Sequence, residues 1–262
     1  MPSQLPPLLD LTIGPYLFLY IALIGFFACA AVLHLVAWGT ARDEPLLALF
    51  GLDCLIRAVL SAVLVQLMTT TTAEAAFTAS GARIALVLVT FISTLWTVRL
   101  VSGVRAPVLV WSLTGLSLLL VLVHVLVMPL NVEVLAVDSI VTPWGERLSV
   151  PINGTPGWWV GPVFLLGFVI QFFALYCGAR LWRQDRVAGA LILLATLGTL
   201  GIFALEFLRS FRVASPPILG AFPSALWVGA VALVIARGHD RTRKALAGSE
   251  QRFRGIFDGT FQ

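Results

Sequence analysis

Charge is what this chain has least of. Only 11% of its 262 residues are Asp, Glu, Lys or Arg, against 59% hydrophobic, and the mean hydropathy is +0.98. A water-soluble domain covers itself with about a quarter charged residues, so this composition calls for lipid as the solvent. Lysine is all but missing: Lys244 is the single one. Retinal chemistry needs a Schiff-base lysine in the last membrane helix, and Lys244 lies beyond the last apolar run, so a rhodopsin is excluded and no retinal is expected. Cysteine is scarce as well. Cys29, Cys54 and Cys177 all fall in apolar runs without CxxC spacing, which leads to an expectation of buried free thiols and of no metal or disulfide framework. HExxH and GxSxG do not occur, and no P-loop or GxGxxG stands between a strand and a helix, so the sequence offers no catalytic site. A net charge of +4 does not point to nucleic acid, because the basic residues are scattered over short loops. The opening MPSQLPPLLDLTIGP lacks the basic region of a cleavable signal peptide, so the first span should be retained.

What the chain does have is seven apolar runs, each close to the roughly 20 residues that cross a bilayer core as a helix. They read as spans at about 16–38, 46–68, 83–103, 107–128, 159–182, 187–208 and 217–236. The expected fold is therefore an all-α membrane protein, a seven-transmembrane helix bundle. Pro45, Pro107 and Pro162 stand near helix starts, where a missing N–H costs little. Residues 69–82, TTTTAEAAFTASGA, read as a polar connector. A seventh helix starting at Pro223 would be too short to span before Arg237, so a start at Pro217 with a kink near Pro223 is expected.

Arginine sets the direction. Arg42, Arg99, Arg105, Arg180, Arg183, Arg186 and the basic tail fall on one side, and Arg83, Arg147, Arg209 and Arg212 on the other. The positive-inside rule then gives an N-out, C-in topology, and Trp38, Trp111 and Trp182 at the inner boundary with Trp158 and Trp159 at the outer one agree with it. The outer connector, residues 129–158, contains β-rich stretches around TPWGE. It reads either as a short hairpin over the bundle or as an irregular loop.

Ionisable residues at bilayer depth are costly and mark candidate sites. Asp53 and Arg57 are four apart on the second span and share a face. They are either an ion pair that locks packing or a ligand or proton site, with Arg57 suited to a carboxylate or carbonyl ligand. His34 falls near the inner leaflet and His124 near the outer one, so a shared haem is not expected; each is a packing residue or a single ligand. Glu206 and Arg209 can pair locally and, with Arg83, Arg212 and the outer loop, could rim an outward-facing pocket. Ser93, Thr94, Trp96 and Thr97 read as interhelical hydrogen bonding.

The tail carries the one specific resemblance. Residues 249–262, SEQRFRGIFDGTFQ, resemble the opening helix of a PAS domain through Ser249, Glu250, Arg252, Phe253, Arg254, Ile256 and Phe257. HLVAWGTARDEPLLALFGLDCLIRA and TPWGE are similar to the seven-span regions of bacterial PAS-containing sensor histidine kinases and diguanylate cyclases. The resemblance implies a membrane sensor at residues 1–236, a juxtamembrane signalling linker at 237–248, and the start of a PAS domain at 249–262. It also implies a bacterial inner-membrane location, an output kinase or cyclase further on, and work as a homodimer. The stimulus would be a small molecule or a change of membrane state, and no nucleic acid is involved. Pro223, Leu246, Phe253 and Ile256 are the expected signal-transmission positions; Leu246 and Phe253 are seven apart, a short heptad echo. His239 in RGHDRTR lacks a phosphoacceptor pattern and reads as a solvated helix residue. The rival reading is a small transporter or channel with a soluble extension, although no internal repeat is evident; a non-signalling assembly factor is a third.

Overall fold

A computed structural model describes residues 14–127, 130, 133–155, 157–210 and 221–260; the side chains of Asn153, Arg209, Ser210, Ala221, Phe253 and 255–260 lie outside that description. Among the described residues, seven helices are long and apolar enough to cross a membrane. They are α1 (Pro15–Thr40), α2 (Pro45–Thr69), α3 (Ala73–Ser102), α4 (Pro107–Leu122), α5 (Val160–Trp182), α6 (Arg186–Ser210) and α7 (Ala221–Thr260), and a π-helical turn (Val123–Val127) extends α4. The chain is a multi-pass membrane protein of the all-α class. An odd number of spans puts the start of α1 and the end of α7 on opposite faces, called here the hairpin side and the tail side.

Proline opens α1, α2 and α4 at the first turn, where its missing N–H was unpaired anyway. Helix α3 begins ten residues before the expected 83, at Ala73. The polar connector is thereby cut to a few threonines. Thr72 caps the helix by accepting the Ala75 N–H at 3.3 Å, Glu74 sits in the first turn, and the alanine-rich run favours helix once capped. Hydropathy does not register a helix that projects past the hydrocarbon. At its other end Gly103 adopts φ 65°, the left-handed cap that glycine accepts without strain.

Helices α1, α2, α3, α5, α6 and α7 form a ring in chain order, closed by contacts of α7 with α1 and α2, while α4 packs outside against α3 and α5. Phe18, Val32, Leu33, Val36, Trp111 and Leu126 are among the large apolar side chains left exposed. On a soluble protein such a surface would aggregate; in a bilayer it meets acyl chains.

The outer connector is a hairpin, not an irregular loop. Strands β1 (Val134–Val141) and β2 (Arg147–Asn153) pair antiparallel, with Ser139 opposite Ser149 and Val141 opposite Arg147. Pro143 opens the turn, Gly145 N–H donates to Thr142 O at 2.9 Å, and Gly145 takes φ 86°. That is a tight turn closed by a residue only glycine fits easily. Glu146 then folds inward. Helix α1 begins at Gly14 with no side chain of its own to cap it. Instead Glu146 Oε2 accepts Tyr16 N–H at 2.9 Å and Oε1 accepts Leu17 N–H at 3.0 Å, while Trp144 Nε1–H also donates to Oε2 at 2.9 Å. A carboxylate on exposed helix N–H groups satisfies both hydrogen bonding and the helix dipole.

Helix α7 is the longest element, 40 residues, or about 60 Å at 1.5 Å per residue. The expected start at Pro217 lies outside the described residues, and Pro223 occupies the first described turn of α7. Beyond Arg237 the helix continues through Gly248 to Thr260.

Candidate functional site: a buried polar network, a cavity and a clamp on the seventh helix

Helical spacing puts Asp53 and Arg57 one turn apart at the middle of α2, and the fold encloses both: Asp53 is fully buried and Arg57 is 5% exposed. Arg57 Nε–H donates to Asp53 Oδ2 at 2.9 Å. Two further donors complete the carboxylate. Ser93 Oγ on α3 donates to Oδ1 at 2.5 Å, and Trp227 Nε1–H on α7 donates to Oδ2 at 3.1 Å. The guanidinium is held as firmly: Nη1 donates to Ser224 Oγ on α7 at 3.1 Å and Nη2 to Thr94 Oγ1 on α3 at 3.0 Å. Its carbon lies 5.8 Å from the Trp227 ring centroid. The ion-pair reading of the sequence is what the geometry shows. The pair locks α2, α3 and α7 together, and Arg57 also lines a cavity.

That cavity, of about 130 Å³, lies between α2, α3, α5, α6 and the first turns of α7. Its walls are apolar for the most part, with Leu60, Leu64, Phe91, Phe203 and Trp227, and the polar groups along them include Arg57, Gln171 and Ser224. Arg83 and Glu206 also line it and join α3 to α6 through a 3.1 Å ion pair. Both are part-exposed, so this is the wetter end of the cavity. The expected Glu206–Arg209 pairing falls on a side chain outside the described residues, as do Arg212 and the side chains of Phe253 and Ile256. Gln171, missed in the sequence, is 4% exposed. It lines the cavity and has no hydrogen-bond partner among the described residues.

The two histidines are placed apart, each in a local role. His34 Nδ1 meets Ala30 O of its own helix at 2.8 Å, and its ring stands edge-on to Phe50 at 4.6 Å. His124, in the π-helical turn, meets Gly81 O through Nε2 at 2.9 Å and accepts Leu130 N–H on Nδ1 at 2.7 Å. That geometry fixes the neutral Nε2–H tautomer and staples α3 to the start of the outer connector. Among the other α3 residues, Trp96 Nε1–H donates to Thr114 Oγ1 on α4 at 3.0 Å. Thr97 Oγ1 is buried with no partner among the described residues.

On the tail side a second constellation grips α7. Asp185 stands just before α6, and its Oδ1 caps that helix by accepting Val187 N–H at 3.1 Å and Ala188 N–H at 3.2 Å. Oδ2 faces α7, with Arg241 Nη2 at 2.7 Å and Arg237 Nε at 3.6 Å. Burial pushes the Asp185 carboxyl up, but the Ala188 N–H, the Arg241 and Arg237 guanidinium groups and the Val187 N–H outweigh it and hold it below the ordinary carboxylate value. From the α1–α2 turn, Glu44 Oε2 reaches His239 Nε2 at 3.2 Å. His239 is thus half-exposed yet tethered. Farther along, Lys244 pairs with Asp240 at 2.7 Å and Arg254 with Glu250 at 2.6 Å, i,i+4 contacts that support a solvated helix. Leu246 is 70% exposed.

Sequence reasoning overlooked Asp185, Glu44, Glu146 and Trp227 as well as Gln171. An Asp directly before an apolar run is a readable cap signal, hidden here by the arginines around it in RQDR. Trp227 in an apolar run carries no such signal. Neither a family model nor a curated protein matches this chain.

Proposed function

We propose that this chain is the membrane-embedded sensory input module of a bacterial signal-transduction protein. It sits in the inner membrane with its N-terminus and hairpin outside and its tail in the cytoplasm, and it relays a stimulus through α7 to a PAS domain and an output kinase or cyclase. The observation that carries this reading is that one helix serves two ends. Its first turns, with Pro223, Ser224 and Trp227, wall the cavity and bind the Asp53–Arg57 pair. The same helix then runs unbroken past the Asp185 and Glu44 contacts into the segment that resembles a PAS opening. A guest that alters the cavity wall moves the helix start, and the helix delivers that movement to the tail. This requires two arrangements of similar energy, one favoured by the stimulus. The arginine asymmetry supports the orientation, and an exposed, charged helical tail suits side-by-side pairing with a second copy.

The test is the output of the full-length protein, or of a chimera in which residues 1–248 drive a kinase of known activity. Trp227→Phe and Ser224→Ala should shift basal output at least threefold, up or down, while the protein remains folded in the membrane. Unchanged output from both, combined with solute flux in vesicles that either variant alters, would replace the sensor by a transporter.

A further inference from the structure

The cavity has unmet hydrogen-bonding capacity of a kind that specifies its guest. Gln171 on α5 is buried, carries two amide N–H donors and a carbonyl acceptor, and has no partner for any of them among the described residues. Its position in the cavity wall leaves the cavity as the place where these groups are satisfied. The Gln171 amide is not among the sealed, partnerless side-chain atoms, so it opens onto the cavity and has its hydrogen-bonding groups available to a guest there. Arg57 adds to it. Three of its N–H groups are taken by Asp53, Ser224 and Thr94, which leaves two of the five that a guanidinium carries. Those three bonds, to α2, α3 and α7, fix the plane of the group before any guest arrives.

Charge then decides between guests. Both cations in the cavity wall have their countercharge at hand: Asp53 pairs with Arg57, and Glu206 with Arg83. An anion entering would meet a guanidinium already neutralised and would bring an uncompensated charge into low dielectric, and a cation would do the same. An uncharged molecule has no such penalty. The remaining walls are mostly aliphatic and aromatic, interrupted by the hydroxyls of Thr90, Thr94, Thr199 and Ser224, so most of the guest's surface must be apolar. Size sets the last limit: a cavity of about 150 Å³ in another protein takes benzene, and this one is about 130 Å³.

We infer that the cavity binds a small, uncharged, mainly apolar molecule with one carbonyl or hydroxyl oxygen, which accepts from Gln171 and Arg57. This deepens the sensor reading by naming the chemical class of its stimulus, and it rests on that reading only for the consequence of binding. The probes are cyclopentanone, methylcyclopentane of matched size without the oxygen, and butanoate as an anion. Each is titrated against the whole chain in nanodiscs, with saturable ligand-detected NMR as the readout. Cyclopentanone should bind saturably and at least about tenfold more tightly than either comparator, and Gln171→Leu should weaken it about tenfold. The same substitution should not lower the melting temperature of the empty protein, since it breaks no hydrogen bond to a described residue; a structural role for Gln171 would lower it instead. Butanoate or methylcyclopentane binding as well as cyclopentanone, no saturable binding of any probe, or a destabilised Gln171→Leu protein would each overturn the inference. If cyclopentanone binds as stated and the kinase chimera does not respond, the site stands and the sensor reading falls.

Discussion

Asp53 shows how a single carboxylate can hold a membrane bundle together. It receives Arg57, Ser93 and Trp227 from three helices while fully buried. Removing its charge leaves a guanidinium without countercharge at mid-bilayer depth, a loss of about 3–5 kcal/mol for a broken buried pair. Asp53→Asn should therefore cut folded yield in membranes sharply, and Asp53→Asn with Arg57→Gln should recover much of it, as read by fluorescence-detected size exclusion. Equal yields for the single and double variants would remove the pair from the account. Glu146 makes a milder case. Its carboxylate caps a helix from 130 residues away, so Glu146→Gln should cost about 1 kcal/mol and leave the fold intact, measurable as a lower melting temperature in detergent. The spacing of Asp53 and Arg57 was legible because a helix puts i and i+4 on one face. Ser93 and Thr94 on α3 read as interhelical hydrogen-bonding residues, though not with Asp53 and Arg57 as their partners; Ser224 and Trp227 on α7 gave no signal, since a Ser or Trp in an apolar run looks the same whether it faces lipid or a carboxylate.

At the scale of elements, α7 and its clamp matter most. Asp185 is tied at once to the start of α6 and to two arginines of α7, so the helix leaves the bundle at a fixed point. A carboxyl held below its ordinary value stabilises the folded contact above the unfolded pKa of about 3.9, and that contribution is lost as pH falls through the lower folded value. Spin labels on Gln184 and Thr242 should accordingly keep one distance from pH 8 down to about 5 and separate only below about pH 4. In Asp185→Asn the low-pH step should disappear and the broad distribution persist throughout. A transition centred near neutrality that survives Asp185→Asn would mean another group governs the clamp. The early start of α3 escaped the sequence because hydropathy locates the membrane, whereas capping decides where a helix begins. The hairpin was readable as one of two outcomes, because Pro143 and Gly145 satisfy a tight turn that a general loop would not demand.

On the scale of the whole molecule, composition and seven apolar runs specified the architecture; a pocket rim with Arg83 and Glu206 was anticipated, and both residues line the cavity, but its depth was not legible. The cavity is made by side chains of five helices whose mutual rotation no local pattern records. Orientation follows from arginine placement alone, and alkaline phosphatase fusions test it: activity after Thr142 and none after Arg237 are expected, with the reverse pattern inverting the topology. In the proposed relay, α7 carries the state of the cavity to the tail as one rigid rod, a transmission that depends on helical phase. Each inserted residue turns the downstream face by about 100°, while seven nearly restore it. In the full-length protein or the kinase chimera, one or three residues inserted between Lys244 and Gly248 should change output strongly, and seven should leave it close to that of the unaltered chain. Equal tolerance of all three insertions would describe a flexible tether and would contradict transmission through α7.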